Sequence, residues 1–358
     1  MSVKSKSSFL LSTLASAVLL AACGGGGGGG NSAVPAAKPP VAALPPADST
    51  GTNTTPMVAI VTSVPASTYP VGSEELAAFT ALNDARLACG FGAVKQDIRL
   101  DAAAKGHADW QIMNGYFGHY QVAATPGFTG VSPEDRVVAG GYSSAATFQV
   151  YDEGASATST SDKVGEGALA VARLLNAPMH ARGMISGATD VGLAVRSSLD
   201  VTSPNGARVY SWIDLAYLNA TGSQEPPANA VLTYPCEGRA GVERKLQGES
   251  PNPVPVRDLA ANPLGSSVQV RVRKGQTLRL TSYTMAEQNS GLAVVVRPPV
   301  GSQYNNEPYP NTTGAFGLHE TWVAADSALK ANTAYTVNLG GTVDGVVFTK
   351  VFTFTTGN

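Results

Sequence analysis

The sequence predicts an α+β domain followed by an all-β sandwich, and three observations carry that expectation. Helical periodicity dominates residues 74 to about 176, two apolar strand candidates follow, and from about residue 251 short β-type alternation takes over. A chain of 358 residues, less an atypical N-terminal tract, leaves room for two domains with real cores.

The helices are marked at their ends. Ser73 before Glu74-Glu75 makes a helix start, Leu76, Phe79, Leu82 and Leu87 recur at roughly helical spacing, and Gly90 ends the segment. A second helix is predicted from about residue 100 to 114, with Leu100, Ala103, Ala104, His107 and Gln111 on one face. A third, 164–176, stops before Pro178, which lacks a backbone N–H and breaks helices. The strand candidates are 191–195 and 209–215, the second holding Trp212. Further strands are predicted at 268–272, 277–281, 292–297, 333–339 and 346–355, with Lys274-Gly275 and Asp344-Gly345 as turns. This is the spacing of a β-sandwich. The stretch from Leu329 to Val337, with Phe352-Thr353-Phe354 behind it, resembles bacterial Ig-like domains, which serve as spacers or adhesive units.

The N-terminal tract has a different composition. Lys4 and Lys6 precede an apolar run over 9–20 and then Leu20-Ala21-Ala22-Cys23, the parts of an export signal over residues 1–22. The run is too short for a permanent membrane span. Small residues before a cysteine resemble the lipobox of bacterial lipoproteins, and that resemblance implies a lipid-bearing Cys23 at the mature N-terminus, with two or three fatty chains for firm anchoring. Gly24 stands where Asp would imply inner-membrane retention, so the expected address is the outer membrane, on either its periplasmic or its surface side. Residues 23–70 are Gly-, Pro- and Ala-rich with few aromatics, too poor in apolar surface to offset their ordering entropy, and read as a tether.

Cys23, Cys89 and Cys236 are the three cysteines. With Cys23 lipidated, Cys89 and Cys236 remain as a pair in an oxidising compartment, where a disulfide between them is expected against the alternative of two buried thiols. The net charge of −2 offers no basic face. Nucleic acid is therefore excluded as an expected partner, and membrane attachment must come from the lipid.

No Gly-x-Ser-x-Gly elbow, Walker loop, His-Glu-x-x-His or Cys-x-x-Cys is present. Gly165-Glu166-Gly167 only loosely matches a dinucleotide fingerprint, and no buried strand precedes it, so it reads as a helix start. Three of the four histidines, His107, His119 and His180, lie in the helical part with Glu153 and Glu166.

Several stretches in order resemble one family. They are Asn83-x-x-Arg86 with Cys89-Gly90-Phe91-Gly92, Leu100-x-x-x-Ala104-x-x-His107, Phe117-Gly118-His119, Asp135-Arg136, Ala139-Gly140-Gly141-Tyr142, Ala177-Pro178-Met179-His180 and Asp190-Val191-Gly192-Leu193. Over 71–222 the chain is similar to bacterial CAP (CRISP, antigen 5, PR-1) domains. The resemblance implies an α-β-α sandwich, then a connector over 223–250 carrying Cys236, then the Ig-like sandwich over 251–358. It also implies a cavity of two histidines and one or two glutamates, with His119, His180 and Glu153 at the matching positions and Glu166 as the other candidate glutamate.

Two neutral imidazoles and a carboxylate would supply three ligands for zinc and leave a place for water. The alternative is that His119, Glu153 and His180 hydrogen-bond one another and hold the helices together. His107 reads as a hydrogen-bonded core or rim residue, His319 beside Glu320 as a solvated strand residue. Trp110, Tyr116, Phe117, Tyr120 and Tyr142 either line a groove or fill the core. The leading expectation is a non-enzymatic binding or surface-display protein for a small lipid, peptide or protein ligand. A metal-dependent, peptidase-like hydrolase and a lipid or sterol carrier are the alternatives.

Overall fold

In the computed structural model, residues 56–158, 162–204, 206–304 and 315–358 are described. The export signal, Cys23 and the tether up to residue 55 lie outside the described residues. The chain runs β1 (Met57–Val58), α1 (Glu74–Ala88), β2 (Lys95–Gln96), α2 (Ile98–Asn114), α3 (Pro133–Ala139), β3 (Phe148–Thr158), α4 (Glu166–Asn176), α5 (Pro178–Met184), β4 (Asp190–Ser197) and β5 (Arg208–Leu218). It continues as β6 (Ser223–Gln224), β7 (Leu232–Tyr234), β8 (Arg239–Val242), β9 (Ser267–Arg271), β10 (Leu278–Glu287), β11 (Ala293–Val294), β12 (Glu320–Ala324), β13 (Ala334–Val343) and β14 (Val346–Thr356).

The first part is an α-β-α sandwich. Its sheet has the order β2-β4-β5-β3, so β3 is an edge strand. Leu193, Ile213, Leu215 and Ala155 pack under α1 and α4 on one face, while Ala194, Trp212 and Ala216 pack under α2 on the other, where Val137 of α3 joins. Near-continuous burial along β4 and β5 follows from this covering of both faces. The Asn83 and Arg86 of the first motif are architectural: Asn83 exchanges two hydrogen bonds with the Val94 backbone, and buried Arg86 donates to carbonyls of Gly92, Met184 and Ser186. Arg86 thereby pins the end of α5 to the end of α1.

β3 and α5 are among the elements that periodicity did not mark. Strand β3 carries adjacent carboxylates and a glycine, residue types depleted in strands, and is held by a long antiparallel ladder to β5 instead. Pro178, read as the end of one helix, also begins α5, because the first helical position needs no N–H.

The second part has two sheets, β11-β10-β13-β14-β8 and β12-β9-β7, that share one core of Val268, Val270, Val323, Leu280, Val337, Leu339, Phe352 and Phe354. The Asp344-Gly345 turn joins β13 to β14, with both residues at positive φ as a two-residue hairpin requires. Strands β7 and β8, from the stretch read as a connector, are members of these sheets.

The two parts are joined by a disulfide and by buried non-covalent contacts. Cys89 at the end of α1 is bonded to Cys236, the expected disulfide. Ala177 and Met179 share a core with Leu246, Leu264, Phe316 and Trp322. Asn176 donates to the Lys245 carbonyl and accepts two further bonds from Ser267, one from its N–H and one from its hydroxyl. Buried Arg271 sits 3.2 Å from Glu225 and 3.5 Å from Glu320, and Glu320 also meets Arg182 of α5 at 3.4 Å.

Two expectations are corrected. Residues 56–70 do not continue the tether: β1 pairs with β6, Val61 N–H donates to Gln224, and Val64 and Tyr69 pack on the first core, Tyr69 donating to Asp101. A few apolar side chains and backbone donors met by a preformed surface suffice to order a segment that could not order alone. His319 is not a solvated strand residue. Its side chain is only 15 % exposed and Glu320 is buried, because the pair faces the Arg271 and Arg182 guanidinium groups rather than water.

Candidate functional site

Strand β3 places Asp152 and Glu153 side by side in sequence and on opposite faces of the sheet, since successive strand side chains alternate. Each serves a different histidine. On the α2 and α3 side, Asp152 Oδ2 lies 2.9 Å from His119 Nδ1. On the α5 side, Glu153 Oε2 lies 2.7 Å from His180 Nδ1. Because β3 is an edge strand, the two rings meet there, with centroids 6.2 Å apart. His119 is 38 % exposed and His180 only 9 %, so the pair opens to solvent from the His119 side.

The loop carrying His119 is fixed from below. His107 Nε2 and Gln111 Nε2 both lie within hydrogen-bond distance of the Gly118 carbonyl, and Gln121 Nε2 reaches His107 Nδ1. Trp212 Nε1 donates to Gln111 Oε1, and the Trp212 ring stands edge-on to His119 at 5.5 Å. A side chain at Gly154 would collide with that ring, which is why a glycine interrupts β3. His107 is thus the hydrogen-bonded core residue expected; burial, then the Arg136 charge, lowers its pKa to about 3.

On the other side, a side chain at Gly183 would collide with the Glu153 carboxylate, so this position leaves Glu153 room to reach His180. Glu166, the other candidate, is bound to Arg173 on α4 at 3.0 Å and takes no part. Glu153 is the glutamate of the site.

Sequence reasoning missed four members. Arg136 donates to the His119 carbonyl at 2.9 Å and to Asp152 at 3.0 Å. Burial works to raise the Asp152 pKa, but Arg136 and then His119 hold it well below the usual carboxylate range. Asp214 stands opposite Asp152 across the β3–β5 ladder, fully buried, and burial followed by the neighbouring Asp152 drives its carboxyl well above that range. Burial beside the ionised Asp152 thus favours the neutral form of Asp214. Glu249 accepts from the backbone N–H groups of Met179 and His180, at 2.6 and 3.1 Å. Charged residues inside an otherwise apolar strand pair were the available signal for Asp152 and Asp214. Nothing local marked Glu249.

His180 is buried, which works to lower its pKa, yet the bond to Glu153 and the charges of Glu153, Glu249 and Asp152 raise it. The site thus sets a buried His180–Glu153 pair beside the partly exposed His119 ring, a set able to bind and orient polar groups and to move protons.

The zinc set expected from sequence meets a specific difficulty. Glu153 is engaged with His180 Nδ1, and among the described residues no group of three or more His, Cys, Asp or Glu is arranged to hold a metal ion. The Nδ1–carboxylate contacts leave only the two Nε2 atoms as candidate donors, a carboxylate on Nδ1 being the usual outer partner of a histidine whose Nε2 binds metal. In that arrangement His119 and His180 would be ligands, and Asp152 and Glu153 would orient them.

Of the five aromatics, Trp110 and Tyr142 are buried and fill the core, Trp110 donating to Thr125 and Tyr142 to Asp190. Phe117 stacks on Tyr210 at 5.5 Å. Tyr116 and Tyr120 are exposed on the loop that flanks His119, followed by exposed Val122, Phe128 and Val131. Gln121 ties this loop together, its N–H donating to Val131 and its side-chain carbonyl accepting from Thr129. Two surface recesses, of about 530 and 380 Å³, lie elsewhere and contain neither histidine.

Residues 79–211 match the model of the CAP family, the cysteine-rich secretory protein family. No curated protein matches the chain.

Proposed function

We propose, from the premise that residues 79–211 are a CAP domain, that this protein is a membrane-anchored extracytoplasmic binding or display protein. One observation supports this above the others. A half-exposed His119, oriented by buried Asp152, lies beside an exposed aromatic and aliphatic loop, so a polar contact and an apolar surface adjoin. That combination suits a small lipid or peptide with a polar end. In this reading Cys23 bears fatty chains, the segment up to residue 55 spaces the folded part from the outer membrane, and the β-rich region is an Ig-like sandwich fixed to the CAP domain. The Cys89–Cys236 bond agrees with an oxidising compartment.

Three measurements test the reading. Metabolic labelling with an alkynyl fatty acid is expected to mark the wild type in the outer-membrane fraction and not Cys23→Ser. Lipid extraction and native mass spectrometry of the purified protein are expected to reveal a bound small molecule that is lost in a His119→Ala, Tyr120→Ala variant. Turnover of ester or peptide substrates that disappears with His119→Ala or His180→Ala would replace the binding reading with the hydrolase.

A second reading, divalent metal held by His119 and His180, is favoured by the paired Nδ1–carboxylate contacts. A bound metal would act there as a Lewis acid. Zinc retained after gentle purification, together with a rise in Tm on adding zinc that His180→Ala abolishes, is the expected signature.

A further inference from the structure

Strand β14 is paired on one side and open on the other. Its hairpin with β13 turns on two residues, Asp344 and Gly345, so Val343 and Val346 face each other as a hydrogen-bonded pair. By the alternation of an antiparallel ladder, Phe348, Lys350 and Phe352 also turn their backbone N–H and C=O groups to β13, and those of Val347, Thr349 and Val351 point away from it. Thr353 follows the same alternation: its carbonyl accepts from the Gly238 N–H and its own N–H donates to Glu237, just before β8 pairs with Phe354 and Thr356. The edge is therefore closed from Thr353 onward. Among the described residues, no strand pairs with the outward side of Val347, Thr349 and Val351.

An exposed edge is ordinarily blunted by a proline, a bulge or an outward charge. Here the ladder to β13 runs without a register shift and the stretch holds no proline. Its one charge, Lys350, is half-buried on the face that Phe352 turns to the core. The other face carries Val347 and Val351, 78 % and 63 % exposed, on either side of Thr349. The order Val-x-Thr-x-Val reads the same in both directions.

We propose that this open edge is a homodimer contact, in which a second copy of the chain pairs antiparallel with β14 about a two-fold axis at Thr349. Thr349 then faces the partner's Thr349, and Val347 faces the partner's Val351. Both strands present the same alternation, so each outward N–H meets an outward carbonyl and each valine packs on a valine across the junction. Lys350 falls opposite the partner's Phe348, so no like charges stand face to face. The contact is isologous and closes at two copies. A foreign strand could supply the backbone bonds, but the palindromic placement of the valines matches a second copy. The proposal is independent of the histidine site and of any lipid on Cys23.

The test uses the full chain carrying Cys23→Ser, in which an introduced cysteine is the only free thiol because Cys89 and Cys236 are bonded to each other. With a short bifunctional thiol reagent, Thr349→Cys is expected to give a covalent dimer, the two α-carbons of the pair lying about 5.5 Å apart. Val347→Cys alone is expected to give none, since its two copies stand about 14 Å apart along the strands, whereas mixing it with Val351→Cys restores the cross-link. Thr349→Pro deletes an outward N–H and no bond to β13, so Tm is retained while sedimentation velocity shows the dimer of the parent chain replaced by monomer. No cross-link with Thr349→Cys, equal cross-linking with Val347→Cys, or a dimer that survives Thr349→Pro overturns the proposal. So does a monomeric parent chain: slow deuterium exchange at the Val347, Thr349 and Val351 amides would then place a segment of the chain itself on the edge, and fast exchange would leave it bare.

Discussion

Replacing Cys89 and Cys236 together by alanine is expected to cost the protein much of its stability, and the size follows from topology. The bond closes a loop of 147 residues. In the chain-entropy model such a closure removes about 17 cal/mol/K from the unfolded ensemble, or about 5 kcal/mol at 25 °C. For a domain of this size each kcal/mol moves Tm by about 2–4 °C, so a fall of about 10–20 °C is expected. The double variant is the right perturbation because both sulfurs are buried, and a single replacement would leave a lone thiol in the core. Thermal unfolding followed by circular dichroism in the oxidised wild type, the wild type with reductant and the double variant gives the comparison. The reduced wild type should resemble the variant. A difference below about 3 °C would mean that the contacts of Asn176, Arg271 and Met179 already hold the two parts together in the unfolded ensemble or that the loop entropy is offset, and the reasoning from loop length would fail.

Further outcomes follow from the buried charges. Stability is expected to peak between about pH 5 and 7. The raised pKa values of Glu249 and His180 give stability that is lost as pH rises, from about 4.5 for Glu249 and from about 6.5 for His180. The lowered values of His107 and His319, about 3 and about 4, give stability lost as pH falls below about 6.5, and Glu320, lowered to about 2, adds a loss below about 4.5. A Tm that climbs steadily from pH 5 to 9 would refute this assignment. Arg271→Met leaves Glu225 and Glu320 buried without their main cation, and urea unfolding should show a loss of about 3–5 kcal/mol. Adding Glu225→Gln to it should cost less than the two single changes summed; simple additivity would argue against a shared network. Gly183→Ala should displace the Glu153 carboxylate for about 1–3 kcal/mol and lower the His180 midpoint in an NMR titration. An unmoved midpoint would show that Glu153 does not control His180.

Much of the architecture could be read from residue order alone. Ser73 and Gly90 bracketed α1, the spacing of Leu100, Ala103 and Ala104 gave α2, and the Asp344-Gly345 pair marked the β13–β14 hairpin, because caps, periodicity and tight turns are written over a few consecutive residues. The family motifs brought out His119, His180 and Glu153, and the count of cysteines paired Cys89 with Cys236. What the order of residues could not decide was the company each side chain keeps. That Asp152 and Glu153 divide between two histidines depends on β3 lying at a sheet edge, a property of strand order. That Asp214 lies opposite Asp152 depends on ladder register, and that Glu249 reaches the His180 N–H depends on how a second region docks across some seventy residues of chain. Burial acts in the same way: His319 was read as solvated and lies mostly buried beside Glu320, and residues 56–70 were read as tether and lie on the surface of the core. Local pattern fixes which segments become helix, strand or turn. The electrostatic state of a buried carboxyl or imidazole is set by neighbours that only the folded chain brings within a few ångströms.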